Sequence, residues 1–285
     1  MIPASFDYIR PDSTSGAVAA LRHGGEDAKV MAGGQSLVPL LRLRLAYPSL
    51  LVDLSGIYEL RGVRDDGDAI VIGAMTSHYE VMNDALVKQH AGLLAEATGT
   101  VADPAVRHRG TFGGSLAHGD PAGDLPAVAL AYGAEMVIEG AGGRRTVPAA
   151  DFFRDYLSTA VGPDEVLVEV RLPKLGPGWG HHYEKFHRTA QAWALVGVAA
   201  LVHRSNGSIS EARVGLTNMG STPLRATATE SALAGVDASA AAVAGAAAHA
   251  ADGTSPSADL HAGADYREHL ARVLTRRAVS AAAGV

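Results

Sequence analysis

Short apolar runs alternate with amphipathic stretches along the first sixty residues, and this alternation predicts strands separated by helices. A Gly24-Gly25 pair ends the first helical stretch, and Pro39 is tolerable because it falls in the first turn of the second. The predicted elements are a strand at 6–9, a helix at about 15–22, a strand at 29–32, a helix at 37–45 and a buried strand at 50–54.

The next part of the chain continues the mixture of strands and helices. Ser77 and Glu80 have the spacing of a capping box, which predicts a helix from there to about Lys88. Further strands are predicted at 69–74, 135–139 and 165–170, and further helices near 93–98 and 127–132, with a helical or turn segment around 152–153.

A stretch rich in proline and glycine, 173–180, is the best candidate for a domain boundary. Three strands are predicted after it, near 182–186, 194–203 and 209–216, followed by helices that include a last amphipathic one at about 266–282. We therefore predict an α+β protein with one domain at 1–175, divided into subdomains at about 1–57 and 58–175, and a second domain at 178–285.

Two glycine loops carry the most specific chemistry. Ala32-Gly33-Gly34-Gln35-Ser36-Leu37 directly follows a predicted strand, and Thr111-Phe112-Gly113-Gly114-Ser115-Leu116 repeats the pattern of a glycine pair beside a hydroxyl residue. Glycine allows successive backbone N–H groups to point at one anion, and two such loops suit a diphosphate. The spacing alone leaves ordinary turns open as an alternative.

Composition and charge exclude several classes of function. The formal net charge is -6 and no basic stripe is present, which argues against nucleic acid as a partner. No apolar run reaches the length of a membrane span, and the N-terminus does not resemble a signal peptide, so we expect a cytoplasmic protein.

The chain contains no cysteine, which removes thiolate catalysis and iron–sulfur ligation. Redox chemistry would then need an organic cofactor. The twelve histidines lack the spacing of a metal site, and Ser115, His118 and Asp120 lack the context of a nucleophilic triad. We therefore predict neither a metal site nor a catalytic residue that acts on a substrate.

At the glycine loops the chain resembles the FAD-binding medium subunits of the molybdenum hydroxylase family, most of all those of the aerobic carbon monoxide dehydrogenase type. The likeness runs over nearly the whole length. Its markers, in chain order, are Ala32–Leu37, Leu51–Ile57, Ile72–Thr76 and Arg109–Leu116.

The resemblance implies a two-subdomain, vanillyl-alcohol-oxidase-like FAD-binding fold and a C-terminal domain made of a three-stranded sheet plus helices. It also implies that FAD lies between the subdomains and that both glycine loops hold its pyrophosphate through backbone N–H groups, with hydroxyl donors from Ser36, Thr111 and Ser115. The implied cofactor-binding residues are Ala32, Gly33, Gly34, Gln35, Ser36, Leu37, Val101, Thr111, Gly113, Gly114, Ser115, Asp124, Leu167, Lys185 and Trp193.

Within this set the resemblance implies separate places along the cofactor. Asp124 matches a family carboxylate at the nucleotide half, Val101 and Leu167 match contacts near the adenine and flavin, and Lys185 matches a lysine beside the flavin ring. The chain departs from the family at Gln191-Ala192, where relatives often carry Gly-Asp. Trp193 then covers a ring face, or is an interface or core tryptophan.

The function implied is that of an electron-transfer subunit. It takes electrons from iron–sulfur clusters in a small partner subunit, while a large partner holds the molybdenum cofactor, and it passes them to an acceptor such as quinone. We expect a dimer of heterotrimers with carbon monoxide as the substrate of the complex, located in the cytoplasm or peripheral to the inner face of the membrane through the complex. Alternatives are the same subunit of a nicotine, quinoline, purine or aldehyde hydroxylase, a self-contained flavin oxidase, and a flavin-free binding or assembly module.

Overall fold

A small parallel sheet begins the fold in this computed structural model, which describes residues 2–285. Ser13 caps the first helix by accepting a hydrogen bond from the Gly16 N–H, and Gly25 ends it at φ +67°. The strands pair in the order β1-β3-β2, all parallel. The elements are β1 (Asp7–Ile9), α1 (Thr14–Gly24), β2 (Ala28–Met31), α2 (Leu37–Leu43) and β3 (Leu50–Asp53).

A five-stranded antiparallel sheet follows. It contains the predicted strands near 70, 136 and 168, and two polar edge strands that the hydrophobic pattern did not predict. An edge strand with an exposed face lacks the apolar alternation that makes a strand recognisable. The strands, in the sheet order β4-β5-β10-β6-β7, are β4 (Val63–Asp66), β5 (Ala69–Gly73), β10 (Val166–Pro173), β6 (Glu135–Gly140) and β7 (Gly143–Pro148).

Helices cover one face of this sheet. The predicted helix from Ser77 to Lys88 is wrong as a single element, because Asp84 stops the first part and caps the second through hydrogen bonds from Leu86 and Val87. The capping box of Ser77 and Glu80 is confirmed. The helices are α3 (His78–Asn83), α4 (Ala85–His90), α5 (Gly92–Gly99), α6 (Pro104–Arg107), α7 (Phe112–His118), α8 (Asp124–Tyr132) and α9 (Ala149–Phe152), and the short hairpin after them is β8 (Phe153–Asp155) and β9 (Ser158–Thr159).

The C-terminal part consists of an antiparallel sheet in the order β11-β12-β13-β14 and three helices. The three predicted strands form most of the sheet, and a two-residue edge strand, too short to leave a pattern, makes a fourth. The last helix begins after Gly263 without a side-chain cap. The elements are β11 (Trp179–Phe186), β12 (Val196–Ser205), β13 (Ser208–Thr217), β14 (Leu224–Arg225), α10 (Thr227–Leu233), α11 (Ala240–Ala247) and α12 (Ala264–Ala283).

Three apolar cores hold these layers together. One lies between the five-stranded sheet and its helices and also takes in Tyr183, Ala199 and Leu201 from the C-terminal sheet. The second packs the other face of the C-terminal sheet against α10–α12, and the third packs α1 and the parallel sheet against the five-stranded sheet. The C-terminal sheet is therefore joined to the first part of the chain by a shared core. No helix within residues 2–285 combines the length and apolarity that crossing a membrane requires.

Candidate cofactor site

A cavity of about 600 Å³ opens beside the first glycine loop, between the end of β2, helix α2 and the end of β3. Its walls combine apolar side chains with polar groups and two arginines. The lining residues are Met31, Ala32, Gly33, Gly34, Gln35, Val38, Pro39, Arg42, Leu43, Asp53, Ser55 and Arg109.

The first glycine loop presents a run of unpaired backbone donors. Gly34 has φ +73°, a conformation that favours glycine. The Val38 N–H donates to the Gly34 carbonyl at 3.0 Å, but the N–H groups of residues 33–37 have no protein acceptor among residues 2–285. Such a run of donors is a backbone nest for an anion.

The second glycine loop lies directly against the first. A Cβ on Gly33 would sit 2.1 Å from the Arg109 carbonyl oxygen, and one on Gly114 would sit 3.4 Å from the Ala32 Cβ. The structure therefore brings together the two loops that the sequence paired only by likeness, and Gly33 has no room for a side chain.

The second loop differs from the first in its hydrogen bonds. Phe112 N–H donates to the Thr76 carbonyl and Gly113 N–H to the Ala74 carbonyl, both at 2.9 Å, while Gly114 N–H donates to the Thr111 hydroxyl at 3.1 Å. The Ser115 N–H donates to the Thr111 carbonyl at 3.0 Å. The N–H groups of the second loop are therefore bonded within the protein, to the segment just after β5 and to Thr111 at the start of α7, whereas those of the first loop are not.

Asp124 and Lys185 form a buried ion pair away from these loops. Lys185 Nζ lies 2.7 Å from Asp124 Oδ2 and 3.2 Å from the Thr100 carbonyl, and the Tyr183 hydroxyl donates to Asp124 Oδ1 at 2.6 Å. Both charged side chains are only 4% exposed. Burial raises the pKa of Asp124 above its ordinary value, and the Lys185 charge opposes that rise.

This contact corrects the separate places that the resemblance implied for the two residues. Side chains 2.7 Å apart cannot mark opposite ends of an extended dinucleotide. Asp124 and Lys185 therefore occupy one place in the structure.

The remaining predicted cofactor contacts lie either outside the apolar core or within it. Val101 is half-buried, and its carbonyl accepts a hydrogen bond from Arg107 at 2.7 Å. Leu167 is 5% exposed and packs within the core, so its side chain has a structural role. Trp193 is 53% exposed, which excludes the core alternative.

Gln191 connects the Trp193 loop to the first part of the chain, because its amide donates to the Asp103 carboxylate. At the position where the resemblance implies glycine, this chain therefore has a side chain that forms a hydrogen bond. Ala192 leaves no carboxylate at the next position.

Sequence reasoning missed Arg42, Asp53 and Tyr183. Asp53 was included in a predicted strand and in the Leu51–Ile57 marker but not among the cofactor-binding residues, although its Oδ2 accepts the Tyr8 hydroxyl at 2.6 Å beside the cavity. A carboxylate at the end of a buried strand is a signal that could have found it. The role of Tyr183 as a hydrogen-bond donor to Asp124 can be recognised only in the folded structure, where β11 lies against α8.

The residues present fit a cofactor that contains a diphosphate. The first loop supplies unpaired donors, Gly33 allows the backbone before the second loop to pack directly against the first, and Arg42 and Arg109 supply positive charge at the cavity. These are the groups that bind phosphates.

Family models cover most of the chain. Residues 4–175 match the model described as the FAD binding domain in molybdopterin dehydrogenase, and residues 181–282 match the CO dehydrogenase flavoprotein C-terminal domain.

Individual proteins and solved structures show the same likeness. The chain is 43% identical to the carbon monoxide dehydrogenase medium chain of Hydrogenophaga pseudoflava over 99% of this chain and 98% of that one. It is 38% identical to the alpha subunit of the 6-hydroxypseudooxynicotine dehydrogenase complex of Paenarthrobacter nicotinovorans, over 99% and 96% of the two chains.

Among solved structures, carbon monoxide dehydrogenase from Hydrogenophaga pseudoflava, in a form lacking the Mo-pyranopterin moiety of its molybdenum cofactor, superposes with a TM-score of 0.97 at 45% identity, over 99% and 98% of the chains. Quinoline 2-oxidoreductase from Pseudomonas putida 86 superposes with a TM-score of 0.95 at 34% identity, over 100% and 99%. The two-domain α+β fold expected from the sequence is confirmed, and with it the class of oxidoreductase subunit. The chain therefore belongs to the family of FAD-binding subunits of molybdenum hydroxylases, to which the carbon monoxide dehydrogenase medium chains also belong.

Proposed function

We propose that this chain is the electron-transfer subunit of a three-component molybdenum hydroxylase, receiving electrons from a small iron–sulfur subunit and releasing them to an external acceptor such as quinone. The observation that carries the proposal is the run of unpaired N–H groups at 33–37, which lines a cavity in a chain of this FAD-binding family. FAD supplies the chemistry because it exchanges electrons singly or in pairs.

In this proposal the chain's own residues bind and orient the cofactor. The predicted contacts at 32–37 hold its diphosphate, and Gly113, Gly114 and Ser115 belong to the second loop, which packs against the first, with the Thr111 hydroxyl capping α7. Asp124, Lys185, Val101 and Trp193 lie at the flavin end. Two contacts support this assignment, that of Lys185 with Thr100 and that of Gln191 with Asp103. They hold the segments that carry these residues close to one another.

The proposed partner subunits are inferred from the metal ligands that this chain lacks. With no cysteine it cannot ligate iron–sulfur clusters, and no group of three or more His, Cys, Asp or Glu side chains within residues 2–285 is arranged to hold a metal ion. We therefore place the iron–sulfur clusters in a small subunit and the molybdenum cofactor in a large one. The assembly proposed is a dimer of heterotrimers in the cytoplasm.

Carbon monoxide is the substrate proposed for the parent complex. Its support is the higher identity to carbon monoxide dehydrogenase medium chains, 43% and 40%, than to a nicotine 6-hydroxylase medium subunit, 35%. Nicotine, quinoline, purine and aldehyde hydroxylases remain the competing assignments, because substrate is selected in the large subunit.

The test is an affinity purification of the tagged chain from its native host, followed by flavin, iron and molybdenum analysis and identification of the co-purifying subunits. We expect FAD, near one per chain, with two partner subunits. The purified complex should reduce a quinone when supplied with carbon monoxide, whereas the isolated chain should not oxidise it.

Three outcomes would change the assignment. A colourless chain without partners would favour the flavin-free binding module. A flavin that is bleached by substrate in the isolated chain would favour a self-contained oxidase. A complex active on a heterocycle or aldehyde but not on carbon monoxide would move the subunit to one of the other hydroxylases.

A further inference from the structure

Two arginines that line the cavity have no partner within residues 2–285. Arg42 extends from the last turn of α2, and Arg109 stands two residues before the second glycine loop. Neither side chain forms an ion pair or hydrogen bond with a described residue, and both are exposed. Arg107, in the same segment as Arg109, differs because it donates to the Val101 and Ala102 carbonyls at 2.7 and 3.2 Å.

No carboxylate of the cavity forms an ion pair with either arginine. Asp53 is the single carboxylate among the lining residues, and it is 7% exposed. Its Oδ1 accepts the Ser55 N–H at 2.8 Å and its Oδ2 accepts the Tyr8 hydroxyl at 2.6 Å. The cavity therefore combines two free guanidinium groups with the unpaired N–H groups of the first loop, although the whole chain carries a net charge of -6.

We infer that Arg42 and Arg109 bind the diphosphate of the cofactor as its countercharges, and that the cavity holds the adenosine diphosphate half. This inference rests on the proposed function. A guanidinium supplies several donors as well as charge, so it complements a backbone nest that carries no net charge. The apolar walls at Met31, Val38 and Leu43 suit the flat face of an adenine ring.

The experiment measures binding of three probes to the full chain after its flavin has been removed. The probes are FAD, ADP and riboflavin, which carry a diphosphate with both rings, a diphosphate with adenine only, and no phosphate. The variants are Arg42→Gln, Arg109→Gln and Arg109→Lys. Arg276→Gln is the matched control, because Arg276 is exposed on α12, outside the cavity, and its removal changes the net charge equally.

We expect Arg42→Gln and Arg109→Gln each to weaken FAD and ADP binding roughly 10- to 100-fold, as for loss of a charge-assisted hydrogen bond. Riboflavin binding should stay unchanged, and Arg109→Lys should recover part of the loss. Binding of FAD to the wild-type chain should weaken with salt between about 0.05 M and about 0.5 M, and this dependence should be shallower in the two glutamine variants. Arg276→Gln should match the wild type in all respects.

Unchanged FAD and ADP affinities in both glutamine variants, with the wild-type chain binding FAD, would overturn the inference and leave the proposed function standing. Equal losses for riboflavin and ADP would also overturn it, because they would show that the arginines support the fold of the site and not the phosphates. A wild-type chain that binds none of the three probes would overturn the inference together with the proposed function.

Discussion

Lys185 on β11 and Asp124 at the start of α8 form a buried ion pair, 2.7 Å between Nζ and Oδ2, that joins the C-terminal sheet to the helices of the first domain. The Tyr183 hydroxyl completes the arrangement by donating to the other carboxylate oxygen. A buried charge is costly unless its partner and its hydrogen bonds are present, so the two parts of the chain depend on each other at this point.

Removing one partner of this pair should therefore be strongly destabilising, and the effects of removing the two partners should not add. We expect Lys185→Met to lower the free energy of unfolding by about 3–5 kcal/mol, because Asp124 would stay buried without its countercharge. The double variant Asp124→Asn with Lys185→Met should lose less than the sum of the single variants, measured by urea unfolding. Additive losses would show that the two side chains do not interact.

The Tyr183 hydroxyl should stabilise the same pair by a smaller amount. Tyr183→Phe keeps the ring in the core and removes one hydrogen bond to a charged group, so we expect a loss of about 1–3 kcal/mol. Tyr266→Phe is a matched control, since Tyr266 is 43% exposed on α12 and its hydroxyl forms no hydrogen bond with a described residue. Equal effects of the two substitutions on urea unfolding would contradict this role.

Gly33 should tolerate no side chain. A Cβ there would lie 2.1 Å from the Arg109 carbonyl oxygen, so Gly33→Val, and even Gly33→Ala, should separate the two glycine loops and abolish stoichiometric FAD binding. Gly114→Val should do the same, because its Cβ would lie 2.6 Å from the Thr111 hydroxyl that caps α7. Flavin content after purification is the measurement, and Gly142→Ala, in open space, is the control. Full flavin content in the Gly33 and Gly114 variants would refute the site.

His78 should make the protein less stable in mild acid. It is buried beside Gly110, its Nδ1 has no partner, and burial together with the nearby Arg107 charge lowers its pKa from 6.5 to about 4. Because the unfolded chain binds this proton more readily, the contribution of His78 is fully present above pH 6.5 and is lost as the pH falls from 6.5 towards 4.

The loss from this single group is about 3 kcal/mol across that range. His78→Gln removes the titrating group, so the pH dependence of the free energy of unfolding should become shallower by this amount between pH 7 and pH 4, whatever the stability at pH 7. Parallel curves for the variant and the wild type would contradict the prediction.

Trp193 should report on the flavin without stabilising the fold. It is 53% exposed, so Trp193→Leu should change the free energy of unfolding by no more than about 0.5 kcal/mol. If the indole covers a ring face as proposed, the fluorescence of bound flavin should rise in this variant. Trp179→Leu, which removes the other tryptophan, next to His203 and Arg213, should leave the flavin fluorescence unchanged. The opposite pattern would place Trp193 away from the ring.

The sequence alone determined the family, the α+β class and most of the elements with an apolar face. Residues such as 50–54 and 196–202 form continuous or alternating apolar runs whose burial is their main source of stability, so their pattern identifies them. Local chemistry was equally visible at Ser77 and Glu80, because a capping box involves residues only three positions apart. Polar edge strands such as β7 have no such pattern, so the sequence did not predict them.

Only the tertiary structure decided how the parts of the candidate site meet. The contacts of Gly33 with Arg109 and of Asp124 with Lys185 join residues 76 and 61 positions apart in the numbering, and no local pattern specifies such a pairing. It also decided which donors are available, since the N–H groups of the second loop are bonded to neighbouring segments such as the one just after β5, whereas those of the first loop are not. A loop's chemistry depends on the groups that surround it, and these come from distant parts of the chain through the packing of the sheets.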